Sequence, residues 1–167
     1  MSESFVVKDL GMKKAIASIK GLNKSFVVVG LPGAGSPAVM ENGGKGFIGP
    51  MKPTGLTVAV LGVIHEYGSP ANGIPARPFM KQTWLAYRDQ TRKLTQSLLK
   101  QVTSGKVTVH MGLSRLGIWY EGKMKTTVRR GQFVPNAAET IRQKGSSKPL
   151  IDTGLMRASI THKVEMH

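Results

Sequence analysis

The longest regular signal in the chain is a stripe of apolar side chains between Phe79 and Thr103. Met80, Trp84, Tyr87, Leu94, Leu98 and Val102 recur at three- and four-residue steps, and the stripe is broken only at Thr91. That spacing puts them on one face of a long amphipathic helix. Such a helix is stable only if a second layer covers its stripe, so the remaining segments must supply that layer.

Two short runs, Ser25 to Gly30 and Leu56 to Ile64, are rich in β-branched residues and read as strands. Between them, residues 31 to 55 hold seven Gly and four Pro, a density that favours an extended excursion. The two runs are therefore predicted to form one long hairpin with that excursion at its tip. Ala158 to Met166 alternates apolar and polar residues and reads as a third, half-buried strand. Lys8 to Leu22 is predicted helical, with Met12, Ile16 and Ile19 on one face and Gly21 as its stop. Lys106 to Glu121 reads as a further helix, although Val107 to Val109 also fits a strand. Met124 to Gly131 fits a short helix or a turn. Asn136 with Glu139 has the reciprocal N-cap spacing for a short helix ending at Lys144 and Gly145. The expected fold is α+β: an antiparallel sheet of about three strands packed on a long helix and several shorter ones, in one domain spanning 1 to 167.

With 40% hydrophobic residues but only 6% aromatic, the expected core is thin and open to support from partner subunits. No apolar run reaches the roughly 20 residues that cross a bilayer, and Met1 to Gly11 lacks the pattern of a signal peptide, so a soluble protein made in a cytoplasm is expected. The absence of cysteine rules out disulfides, thiol chemistry and the common thiolate zinc sites.

Net charge is +15, and it is uneven: residues 1 to 80 carry 8 basic and 4 acidic side chains, residues 81 to 167 carry 16 and 5. An anionic partner would therefore meet mainly the second half. Arg88, Arg92, Lys93 and Lys100 lie along the long helix, and Lys123, Lys125, Arg129 and Arg130 form a second cluster. These are the candidate anion-facing residues, although such runs are more often solvated faces. No recognition helix or aromatic RNA platform accompanies them.

Three segments approach known catalytic motifs and miss. Gly30-Leu-Pro-Gly-Ala-Gly35 begins like a phosphate-cradling loop, but Ser36 and Pro37 stand where Lys and Ser or Thr are required. Asp152-Thr153-Gly154 copies the triad of dimeric aspartic proteases, but only thirteen residues follow it. His65-Glu66 opens like a zinc-protease helix, with Ser69 where the second His belongs. The sequence is therefore expected to be non-enzymatic, with no cofactor and no metal.

Three blocks, in order, carry a resemblance: Ile64-His-Glu-Tyr-Gly68, Ile74-Pro-Ala-Arg-Pro-Phe79, and Lys148-Pro-Leu-Ile-Asp-Thr-Gly-Leu-Met-Arg-Ala-Ser-Ile160. Phe133 to Lys144 adds a fourth, weaker segment. Together they resemble the bacteriophage virion-morphogenesis and tail-completion proteins, including the Mu-like morphogenesis proteins and the tail-component proteins of HK97-like phages. The resemblance implies a structural virion protein of a tailed phage that forms a ring, of six copies, at the neck or head-proximal tail end. Its implied neighbours are tail-tube, connector or neck proteins, and it would be assembled in the bacterial host cytoplasm. It further implies scaffold or subunit-contact roles for Glu66, Tyr67, Gly68, Pro75, Arg77, Pro78, Phe79, Asp152, Thr153, Gly154, Arg157 and Ser159. Physically, Arg77 is expected to reach Glu66 or a neighbouring subunit, and Phe79 to anchor the long helix on the sheet. The alternative from another class is a basic DNA-contacting protein that binds or lines a genome path.

Overall fold

The computed structural model describes residues 12–31, 57–138, 141–142, 147, 149–150 and 154–166. In chain order the elements are α1 (Met12–Leu22), β1 (Phe26–Gly30), α2 (Val58–Tyr67), a 3-10 turn (Pro70–Asn72), α3 (Phe79–Thr103), α4 (Val109–Arg130), α5 (Leu155–Ser159) and β2 (Thr161–Glu165). The fold is α+β, as the sequence predicts, and α3 ends where the apolar stripe ends.

The second layer that α3 needs is α4. Residues 104–108 turn the chain back, with Gly105 in the left-handed region at φ 72°. Thr108 then starts α4, its hydroxyl accepting a hydrogen bond from the Met111 N–H at 3.2 Å. The resulting helical hairpin makes the most extensive helix contact in the molecule, and α1 lies across both of its members. On α4 rests a two-stranded antiparallel sheet in which Val27 faces Val164 and Val29 faces His162. Val27 and His162 press on α4 at Gly117, where an added Cβ would lie 2.5 Å from the imidazole and 2.9 Å from Val27. Glycine at this position sets how closely the sheet approaches the helix.

The core gathers where α2, α3, α4 and α5 meet, from Val58, Phe79, Met124, Val128, Leu150, Met156 and Ile160. Phe79 is completely buried there. Burial of that ring contributes about 3 kcal/mol, the largest share among these side chains.

Several sequence expectations need correction. The run from Leu56 to Ile64 predicted as a strand is helical from Val58: Thr57 caps α2 by accepting from the Val60 N–H at 3.3 Å, and the helix continues to Tyr67, with Leu56 outside the described residues. An unbroken apolar run carries no period, so a helix covered on one side and a buried strand look alike. The predicted hairpin therefore does not form, and β1 pairs with β2 instead. Among the described residues the sheet has two strands, not three. Ala158 and Ser159, placed in the last strand by their alternation, close α5. Lys106 to Glu121 and Met124 to Gly131 are not separate elements, because α4 runs unbroken through Gly122 to Arg130. Helix α1 includes Gly21 and ends at Leu22. Residues 8–11, the tip of the excursion at 32–55 and Glu139 lie outside the described residues.

Candidate functional site

Two of the sequence blocks, Ile64–Gly68 and Ile74–Phe79, meet at the junction between α2 and α3. At the end of α2, Gly68 adopts φ 78°, and a Cβ there would lie 2.8 Å from the Ala76 N and 2.9 Å from the Ile74 O. Only glycine lets the loop fold back this tightly. A bridge between Ser69 and Ile74 closes the loop, and the Arg77 N–H donates to the His65 carbonyl at 2.6 Å. Pro75 is exposed on this loop, and Pro78 occupies the N-cap of α3 with no side chain to offer as a cap.

Glu66 fills that role from a distance. Its carboxylate accepts from the Met80 N–H at 2.8 Å and from the Lys81 N–H at 3.0 Å. It thereby satisfies two of the free amides at the start of α3 and places a negative charge at the positive end of the helix dipole. Glu66 is committed to the helix terminus, and the expected Glu66–Arg77 contact does not occur.

Arg77 points the other way. It is 5% exposed, and its guanidinium donates to the Val134 carbonyl (2.9 Å), the Pro135 carbonyl (3.1 Å) and Asn136 Oδ1 (3.2 Å). Desolvation by burial draws its pKa below the ordinary guanidinium value. All three acceptors are neutral, so Arg77 is a buried cation held by oxygen dipoles, and it ties the segment after α4 to the start of α3. Gln82 adds a bond from α3 to the Gln132 carbonyl at 3.2 Å.

A second polar cluster lies along α4. The Glu121 carboxylate accepts from Lys125 and, at 2.7 Å, from His162 Nδ1 on β2, pinning the sheet to the helix. Burial pushes the Glu121 carboxyl up, but the hydrogen bonds and charges of Lys125 and His162 outweigh it and hold the group below the usual carboxylate range. Lys123, predicted to face an anion, instead lies over the rings of Tyr87 (4.9 Å) and Trp119 (5.2 Å). Those two rings meet edge to face at 6.3 Å.

The remaining expected residues separate into groups. Arg88, Arg92 and Lys93 are exposed on α3, and Arg130 is exposed at the end of α4. Gly154 opens α5 in the left-handed conformation at φ 78°. Ser159 is buried, its hydroxyl without a hydrogen-bond partner among the described residues, whereas Asp152 and Thr153 lie outside them. Arg157 on α5 is brought beside Lys125 and Arg129 of α4, where the three line one cleft. Sequence reasoning had put Arg157 with the scaffold residues and the other two with the anion-facing ones. Only the packing of α5 on α4 unites them.

The outer surface is unusually apolar. Val60 (41% exposed), Val63 (58%) and Tyr67 (77%) form a stripe along α2, and Phe26 and Val28 project from the free face of the sheet. Trp84, Leu85 and Ile118 are also more than half exposed. No helix among the described residues is long and apolar enough to cross a membrane. No family model, no curated protein and no solved structure matches the chain.

Proposed function

We propose that this chain is a non-enzymatic structural protein of a tailed bacteriophage particle, acting in tail completion or head-tail joining as a ring of identical subunits. The observation that carries the reading is the pair of separate apolar patches, the α2 stripe of Val60, Val63 and Tyr67 and the sheet face of Phe26 and Val28. A closed ring needs a heterologous interface, in which one patch of a subunit meets a different patch of the next. Two exposed apolar surfaces on a chain with so thin a core suit that arrangement. The motif residues support it by what they do: Glu66, Gly68 and Phe79 fix α2 against α3, and Arg77 ties the start of α3 to the segment after α4, which together hold the α2 stripe in a fixed position. The ring of six copies and its place at the neck or head-proximal end of the tail follow from the sequence resemblance.

The test is the mass of the purified protein by light scattering, alone and with tail-tube or connector proteins, together with negative-stain microscopy. Rings, free or seated on the end of a tube, are the expected result, and Val63→Glu should disperse them into monomers that keep their helical content. A wild-type chain that stays monomeric in every mixture would end the proposal.

A further inference from the structure

We infer that the cleft between the C-terminal half of α4 and α5 is a binding site for the phosphodiester backbone of a nucleic acid. Lys125, Thr126 and Arg129 from α4 and Arg157 and Ala158 from α5 line a cleft of about 380 Å³. No carboxylate is among these lining residues. Lys125 and Arg129 stand one turn apart on the same flank of α4, so both reach the cleft. The Lys125 charge is answered by Glu121. Arg129 and Arg157, both exposed, make no side-chain hydrogen bond or ion pair among the described residues.

The helix dipole accounts for part of this arrangement, since cations are favoured in the last turn of α4. It does not account for Arg157, which comes from another helix and brings a second like charge to the same cleft. Like charges that converge with no counter-charge among the described residues cost free energy that an anion in the cleft would return. Among the described residues, the charge left over once Lys125 and Glu121 cancel is +2, which equals two consecutive phosphodiesters.

The donors suit a phosphate group, and the choice between phosphate and carboxylate rests on the size of the cleft and the surrounding field. The Thr126 hydroxyl is already bonded to the Gly122 carbonyl at 2.8 Å, so the donors facing the cleft are cationic N–H groups, two of them guanidinium forks. Such forks match the paired oxygens of a phosphate group. A cleft of this volume admits a nucleotide-sized group, much larger than a single carboxylate. The excess of 16 basic over 5 acidic residues in the second half of the chain adds a field that draws in a long polyanion. This inference stands apart from the ring proposal, because it concerns the isolated chain as much as an assembly.

The experiment is fluorescence anisotropy of a labelled DNA duplex titrated with protein at a series of salt concentrations. Arg129→Gln combined with Arg157→Gln should lower the slope of log affinity against log salt by about 1.8, the value for two lost phosphate contacts. Affinity at low salt should fall by about tenfold or more. Lys20→Gln combined with Lys24→Gln removes the same charge from an exposed part of the chain distant in sequence and should cost much less. Arg129→Lys with Arg157→Lys should keep the slope but bind more weakly, because the forks are gone while the charges remain. Equal losses in the two glutamine pairs would overturn the site, as would an absence of binding at low salt. Polyglutamate competing as well as DNA per unit charge would also overturn it and assign the cleft to an acidic protein. Thermal melts of each variant separate loss of binding from loss of fold.

Discussion

Arg77 and Arg157 are the same side chain in two opposite situations. Arg77 is buried at the α2–α3 junction, with each of its bonds made to a neutral oxygen of its own chain. Arg157 is exposed on α5, beside Arg129 and Lys125, and has no partner among the described residues. Folding has used the first cation as an internal strut, while the second stays at the surface with no ion pair among the described residues. Both lie in motif blocks of the sequence, so motif membership alone does not tell structure from recognition, whereas burial and partner chemistry do.

The comparison is tested most strongly at Arg77. Replacement by Ala removes the donors to the Val134 and Pro135 carbonyls and to Asn136 and empties a buried position, and is expected to cost about 2–4 kcal/mol in chemical denaturation. Arg77→Lys should recover less than half of that, because an ammonium cannot span three acceptors held in a guanidinium's geometry. If Arg77→Ala unfolds at the wild-type denaturant midpoint, the junction is not the strut described.

Glu66 should show a smaller effect of the same kind. Glu66→Ala removes both bonds to the first turn of α3 and the favourable charge at its N-terminus, for an expected loss of about 1–2 kcal/mol. Amide hydrogen exchange sharpens the test: Met80 and Lys81 should lose protection in the variant while the far end of α3 keeps it.

How much of this was legible in the sequence depends on whether the controlling contact was local. The limits of α3 followed from its stripe, and β1 from its β-branched run with glycine at its end. The role of Glu66 was half legible: a motif marked it, but its true partner, an uncapped helix start, became visible only once Pro78 was seen at the N-cap. The strand partner of β1 is not legible, because the nearer apolar run has no period with which to declare itself a helix. Gly62 marks a close approach, since an added Cβ would collide with Leu31 Cδ1, but a glycine inside a strand would carry the same meaning. The Arg157 cleft left no sign in the sequence, because it depends on α5 folding back across α4.

Acid should loosen the sheet before it disturbs the helical hairpin, through Glu121. The folded protein holds this carboxyl below its ordinary value, so the group stabilises the fold at pH above the usual carboxylate range. That contribution is lost as pH falls through the depressed folded value. Glu121→Gln should therefore lower the denaturation midpoint near neutral pH and flatten its decline in acid. An unchanged acid decline would mean that other carboxyls govern it.

The smallest expected effect gives the sharpest contrast with Arg77. Arg129→Gln and Arg157→Gln should each shift stability by no more than about 0.5 kcal/mol, because each removes an exposed side chain without a partner among the described residues. The double variant should be slightly less stable than the two single gains would sum to, since either change alone already relieves the repulsion between the two cations. That sign is informative. A structural pair loses stability when it is broken, whereas two like charges held together for a ligand gain it. Added salt should then erase the gain, because screening weakens the repulsion in the wild type. A double variant that instead unfolds early at every salt concentration would place Arg157 with Arg77 as part of the frame, and the cleft would lose its claim to be a site.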